Sequence, residues 1–413
     1  MRSDILRRIV ANTLLAACGT AVALVASELL VRRIAPQHFP LAVALRGLHQ
    51  PDAKLGYVMV PGFAKHVHAP EFTCDVRTNG LGIRDREIGP RVPGRLRLLA
   101  LGDSFTLGIH AGDLDSCFVK RLETELREQL PDLTAAPDQV RWQDAEVVNA
   151  GVDGYGTAQE IDMLRRLGPG LQPDGVLLAF YLGNDFTDNS GRTRMTVVDG
   201  YQMLEASAAG FRNEFRPWHR QVRLWLHSHS ELYVLLKARL LHPVRAVAPL
   251  QPGDSAGPKP FDYYVYDKGF ADALQDPPAA SLAAAIDSTG DALRAMRRWC
   301  DTHHATALVV AIPAEQQVDP AARSRWVARF GLDASKLDFE SPNRTLAALA
   351  AASGLPFFDL TPEFAARIAN GDSPYLATDT HWNVRGHAIA ARALAAPVLE
   401  HLAASPLPVI GTR

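Results

Sequence analysis

The chain has 413 residues, of which 47% are hydrophobic and 21% charged, with a formal net charge of −2. That length holds one large catalytic domain with attachments, or two domains. A near-neutral charge with Lys and Arg spread along the chain excludes a polyanion groove, and so nucleic acid as a partner. The ordinary globular composition excludes a disordered chain.

Arg2, Arg7 and Arg8 lead into an almost wholly apolar run from Ile9 to Val31. It is broken only by Asn12, Thr13, Thr20, Ser27 and Glu28, and is followed by Arg32 and Arg33. At about 1.5 Å per residue, a helix of this length crosses a hydrocarbon core of roughly 30 Å. Glu28 stands near the far end, where a carboxylate reaches the headgroups. The basic flank keeps residues 1–8 in the cytoplasm and exports the rest, with Arg32 and Arg33 voting against. The expectation is an uncleaved single-pass anchor over 9–31 in the inner (cell) membrane, with the catalytic domain extracytoplasmic. Leu15-Ala16-Ala17-Cys18 also fits lipoprotein processing at Cys18, and the small residues fit a cleaved signal peptide. The apolar run continues through Val22, Leu24 and Leu30, which favours the anchor.

Residues 36–94 read as a β-rich prefix, a cap or stalk free of helix, in which Pro and Gly punctuate short pieces such as Tyr57–Val60 and Asn79-Gly80 marks a turn. A core domain over 95–405 follows. Leu96–Leu101 is a buried-strand run ending at Gly102, and Phe118–Leu130 has helical spacing. Val147-Val148 is a second strand. Thr157–Leu167 is a helix with a capping box from Thr157 and Glu160, and Val176–Leu182 is a third strand. This alternation is the signature of an α/β doubly wound parallel sheet.

Alternation lapses over about 186–280, which reads as an insertion or lid near the mouth of the site. It holds helix-like stretches over Val222–Leu241 and a Pro- and Gly-rich segment, Pro249–Pro260. Trp218, Leu224, Trp225, Leu226, Tyr233 and Leu235 give it apolar weight, expected to bury against the core; the alternative is a flap facing a membrane or partner. Alternation then resumes with a helix over Leu282–Trp299, a strand over Leu308–Ile312, a helix over Asn343–Ala352, a strand over Pro356–Phe358 and a closing helix over Val384–Leu402. Cys74, Cys117 and Cys300 lie beyond the apolar run, so an exported chain has one disulfide open to it with no spacing to choose the pair. No CxxC or Cys/His cluster points to a metal.

Four short motifs fall at the ends of these strands or on the loop after the last one. Ser104 in Gly102-Asp103-Ser104 follows the first strand, where open parallel sheets bind ligands. A serine hydroxyl needs a base, and His381 is favoured because Asp379 stands two residues before it, able to fix its tautomer and stabilise the imidazolium. His66, His68, His303, His304 and His387 lack such a partner and read as surface or packing residues. Gly151, in Asn149-Ala150-Gly151, offers a backbone N–H, and Asn184, in Gly183-Asn184-Asp185, offers a side-chain amide. With the Ser104 N–H these form a candidate oxyanion hole. Asp103 and Asp185 read as structural acids bonded to backbone N–H groups of their own loops.

These motifs resemble the blocks of the SGNH/GDSL hydrolase superfamily: Gly-Asp-Ser-Phe at 102–105, Asn149-Ala150-Gly151 with Gly154, Gly183-Asn184-Asp185 and Asp379-x-His381. The resemblance implies a three-layer, flavodoxin-like domain over about Leu96–Leu402. It places the family's Ser, Gly, Asn and His on Ser104, Gly151, Asn184 and His381. Many members have two residues between Asp and His, whereas Thr380 alone intervenes here. Asp379-Thr380-His381-Trp382 is closer to the Asp-x-His-Trp form of alginate O-acetyltransferase-like proteins, and Thr78–Asp85 resembles a prefix motif of membrane-anchored members. The expected function is a serine esterase acting without metal or organic cofactor on an ester-bearing small molecule, envelope glycan or lipid. The alternatives are an O-acyltransferase acting on an envelope polysaccharide and a non-catalytic glycan-binding protein. Protein partners carry no readable signal.

Overall fold

A computed structural model describes residues 2–35, 41–69, 71–130, 142–191, 194–205, 217–241, 264–377 and 379–404. Its strands in chain order are β1 (His49–Asp52), β2 (Gly56–Met59), β3 (Ala64–His68), β4 (Thr73–Arg77), β5 (Arg95–Gly102) and β6 (Asp144–Asn149). Then come β7 (Gly175–Tyr181), β8 (Met195–Val198), β9 (Tyr201–Leu204), β10 (Thr306–Ile312) and β11 (Phe357–Asp359). Five of them form one sheet in the order β11-β10-β7-β5-β6, all parallel.

Successive side chains on a strand point to opposite faces, and here both faces are apolar. Leu99, Val176 and Val309 pack against the helices Thr157–Leu171, Ala283–His303 and Ser341–Ala352. Leu98, Leu177 and Val310 pack against Phe118–Gln129, Pro320–Phe330 and Val384–Ala404. The result is the expected three-layer doubly wound domain. Its strand order is that of flavodoxin-like sheets, in which the order of winding reverses between the first and third strands, here β5 and β7. That crevice receives Ser104 and Asn184.

Several local expectations are corrected. The capping box is not Thr157 with Glu160: Gly156 is the cap, Gln159 Oε1 accepts its N–H at 3.3 Å, and Glu160 is buried with neither carboxyl oxygen hydrogen-bonded among the described residues. Residues 41–44 form a short helix within the prefix expected to be helix-free, which otherwise consists of the antiparallel hairpins β1–β2 and β3–β4. The helices Tyr264–Ala273, Pro320–Phe330 and Thr361–Ala369 and the hairpin β8–β9 have no counterpart in the sequence reading. Cys74, Cys117 and Cys300 are separate buried thiols, so no disulfide joins them.

The N-terminal helix, Arg2–Ile34, is long and apolar enough to cross a membrane, with Leu15 and Val22 exposed. The insertion does not bury all its aromatic weight. Trp218 is 61% exposed and Trp225 55%, on the helix Pro217–His229, while Leu226, Tyr233 and Leu235 are half-buried. That helix contacts Leu41–Ala44, and the next, Glu231–Leu241, contacts the N-terminal helix, an arrangement unlike the expected lid. Pro249–Pro260 and the start of the prefix at 36–40 lie outside the described residues.

Candidate active site

The turn after β5 is fixed by contacts that admit no side chain at two positions. A Cβ on Gly102 (φ 153°) would stand 2.1 Å from Thr106 Oγ1 and 2.9 Å from the Ala179 carbonyl oxygen. A Cβ on Gly151 would stand 2.4 Å from the Leu107 nitrogen. The loop after β6 therefore packs directly on the backbone of the short helix Ser104–Leu107. Asp103 caps that helix, its Oδ1 accepting the Phe105 N–H at 2.9 Å. Burial lifts the Asp103 carboxyl to about 6, against the opposing pull of that N–H and of His381. Asp185 likewise accepts the Tyr181 N–H at 2.7 Å, so both acids serve their own loops as expected.

Ser104 and His381, 277 residues apart in sequence, meet here: His381 Nε2 is 2.7 Å from Ser104 Oγ. His381 Nδ1 is 2.5 Å from Asp379 Oδ1, which also accepts the His381 backbone N–H at 3.0 Å. Burial pushes His381 down, but the charge and hydrogen bond of Asp379, then the charges of Asp103 and Asp153, outweigh it and raise its pKa. Burial would raise Asp379, yet the charge and hydrogen bond of His381 hold it far below the usual carboxylate range. The carboxylate thus stays ionised wherever the imidazole titrates.

Trp382 anchors the loop that carries this pair. It is fully buried, stacked on Phe364 at 4.7 Å and edge-on to Phe105 at 5.1 Å. Leu376 N–H donates to the His381 carbonyl at 2.9 Å, and Asn383 Oδ1 accepts the Arg385 and Gly386 N–H groups at the start of Val384–Ala404.

The three expected oxyanion donors differ in availability. Gly151 N–H donates to Asn149 Oδ1 at 3.0 Å, so an oxyanion would compete with that bond. Asn184 Nδ2 donates one hydrogen to Asp188 Oδ2 at 2.8 Å and keeps a second uncommitted among the described residues. The Ser104 N–H, at the start of its helix, is not drawn into the Asp103 cap.

Two features escaped the sequence reading. The His110 ring stacks on His381 with centroids 3.8 Å apart and planes 11° from parallel, its Nε2 3.9 Å from Asp379 Oδ2. Neither His110 nitrogen has a hydrogen-bond partner among the described residues, and burial and the His381 charge lower its pKa to about 3. It is a neutral plate against the His381 ring. Only its position six residues after Ser104 hinted at this. Ligand atoms of His110, Asp379 and His381 lie within 4.8 Å of one another. Nearly parallel stacked rings aim their in-plane lone pairs side by side rather than at one ion, and both His381 nitrogens are already engaged. The cluster is a poor metal cage.

The second feature is the brace behind the site. Buried Arg84 donates to the carbonyls of Leu107 at 2.8 Å and Gly112 at 2.6 Å. Buried Asp85 accepts the Asn149 N–H at 2.7 Å and pairs with Lys120 at 3.0 Å. The Thr78–Asp85 motif, legible only as a resemblance, holds the loops after β5 and β6 together.

Ser104, His381 and Asp379 are hydrogen-bonded in series, and the part of the chain that carries the last two resembles a known family. Residues 271–408 match the family model of the SGNH hydrolase-like domain of the acetyltransferase AlgX. Residues 271–408, which include Asp379 and His381, are thus similar to an SGNH hydrolase-like domain. No curated protein sequence matches it. Similar solved structures include an α/β hydrolase from the metagenome of Lake Arreo, Spain (14% identity, TM-score 0.37, covering 74% of this chain and 96% of that one). A two-domain esterase active on acetylated mannans gives 11% identity and a TM-score of 0.38, over 77% of this chain and 52% of its own length. A lipase/acylhydrolase from Enterococcus faecalis gives 12% and 0.37, over 74% and 96%.

Proposed function

We propose that this SGNH hydrolase-like protein is a membrane-anchored serine esterase. The carrying observation is the unbroken series Ser104 Oγ, His381 Nε2, His381 Nδ1, Asp379 Oδ1 at 2.7 and 2.5 Å. Ser104 Oγ attacks the ester carbonyl as His381 Nε2 takes its proton. Ser104 N–H, Asn184 Nδ2 and Gly151 N–H receive the negative oxygen, Gly151 by exchanging its bond to Asn149. His381 returns the proton to the leaving alcohol, and an acyl-serine remains. Water then gives a proton to His381 and attacks the acyl carbon, releasing the acid and restoring Ser104. Asp379 keeps the imidazole oriented and stabilises its cation. No step requires a metal or organic cofactor.

The tether over 9–31 supports an extracytoplasmic, envelope-borne substrate, a glycan or lipid ester held within reach of the membrane. A second reading is favoured by the AlgX acetyltransferase description of the matching family model. In it a sugar hydroxyl of an envelope polysaccharide replaces water in the second half-reaction. The test is turnover of a short-chain aryl ester by the full chain in detergent, with and without oligosaccharide acceptors. Hydrolysis that is lost in Ser104→Ala and unaffected by acceptors supports the esterase. Product appearing on the acceptor faster than free acid supports the transferase. Equal rates in wild type and Ser104→Ala would refute both.

A further inference from the structure

The single acidic residue in the apolar run, Glu28, has a specific occupation. Its carboxylate accepts from Ser230 Oγ at 2.8 Å, the Glu231 N–H at 2.9 Å and the Leu232 N–H at 3.0 Å. It therefore caps the N-terminus of the helix Glu231–Leu241 from another element. Arg32, paired with Glu28 at 2.8 Å, donates to the His229 carbonyl at 2.7 Å, the last residue of the preceding helix. The elbow of the two-helix hairpin is thus fastened to the outer end of the N-terminal helix, and Glu231–Leu241 packs against it. On the first helix Trp218, Val222 and Trp225 follow one another at i, i+4 and i+7, so they share a face. They are 61%, 50% and 55% exposed. Leu236 of the second helix is 45% exposed. The segment Pro217–His229 contains Arg220 and Arg223 and no acidic residue.

We infer that this hairpin is an interfacial foot, whose occupant is the headgroup layer of the bilayer that the N-terminal helix enters. The inference rests on the anchor reading given above. Continuity places it there: Glu28 and Arg32 stand where the apolar run meets water, and they fix the hairpin at that level. Tryptophan prefers this zone, its ring amphipathic enough for the mixed environment. A helix with an aromatic face and basic residues suits an anionic surface. The foot would hold the catalytic domain at a set height and tilt, so that Ser104 meets substrates lying on or near the membrane.

The tryptophan distribution makes a direct test. The chain has six tryptophans, and Trp142, Trp299, Trp326 and Trp382 are buried in the catalytic domain. The full chain is reconstituted into vesicles of phosphatidylcholine and phosphatidylglycerol, with or without phosphatidylcholine brominated high on the acyl chain. Flotation with the vesicles is scored separately. The expected result is flotation with loss of up to about a third of the tryptophan emission, two of six rings, and no loss in the Trp218→Phe/Trp225→Phe variant. Phe keeps the face apolar, so the variant also floats. Flotation without quenching, or quenching that persists in the double variant, overturns the foot and leaves the anchor standing. Failure to float in vesicles overturns the anchor, and the foot falls with it.

Discussion

Asp379→Asn removes one charge while leaving the shape of the site, and its effect is calculable from the geometry. In wild type the carboxylate touches His381 Nδ1 at 2.5 Å, which puts the charge centres roughly 4 Å apart. At an effective dielectric of about 20, such a pair is worth roughly 4 kcal/mol to the imidazolium formed as Ser104 loses its proton. That corresponds to about a thousand-fold in rate. An amide also favours the wrong tautomer, donating where Nδ1–H must donate, and replacement of this kind costs up to about 10⁴-fold in serine proteases. The expected loss in kcat for a short-chain aryl ester is therefore about 10³–10⁴-fold, with KM little changed. The pH profile carries an independent sign. His381 works as a base only when neutral, and Asp379 raises its pKa above the ordinary 6.5. Wild-type activity should rise with pH through an apparent pKa above 6.5. In Asp379→Asn burial acts with less opposition, so the residual activity should titrate at lower pH. A variant within tenfold of wild type, or an acidic limb that does not move down, would refute this role for Asp379.

Other outcomes follow from the packing. His110→Ala removes the plate that holds the His381 ring, and should lower kcat on the order of 10–100-fold with KM nearly unchanged, while His110→Phe retains most activity. Gly151→Ala forces a Cβ to within 2.4 Å of the Leu107 nitrogen and should destabilise by about 1–3 kcal/mol, read as a lower denaturant midpoint. Asp85→Ala leaves buried Lys120 without one of its carboxylates and Asn149 N–H without its acceptor, and should cost about 3–5 kcal/mol in the same assay. Trp382→Ala should cost a similar amount by emptying the space beneath the His381 loop.

The core strands were legible because burial on both faces of a parallel sheet leaves short, continuous apolar runs: Leu96–Leu101 and Val176–Leu182 mark β5 and β7 nearly to the residue. Ser104 and Asn184 could be singled out because each closely follows a strand, and His381 because Asp379 stands two residues before it. What stayed hidden depends on contacts between distant segments. Nothing near Arg84 in sequence announces the carbonyls of Leu107 and Gly112, and His110 gains its place only when the loop before Val384–Ala404 folds back over it. Trp218 and Trp225 were expected to be buried because hydrophobicity alone does not distinguish a core side chain from an exposed one. Gly156 replaced Thr157 as a cap because Gln159, rather than Glu160, lies within reach of the free N–H.

Acylation of Ser104 is read most directly from peptide mass after rapid acid quench of the full chain with an aryl ester. One acyl group is expected on the peptide containing Ser104, formed within a turnover and absent in Ser104→Ala. An acyl group on another residue, or turnover with Ser104 never modified, would contradict it.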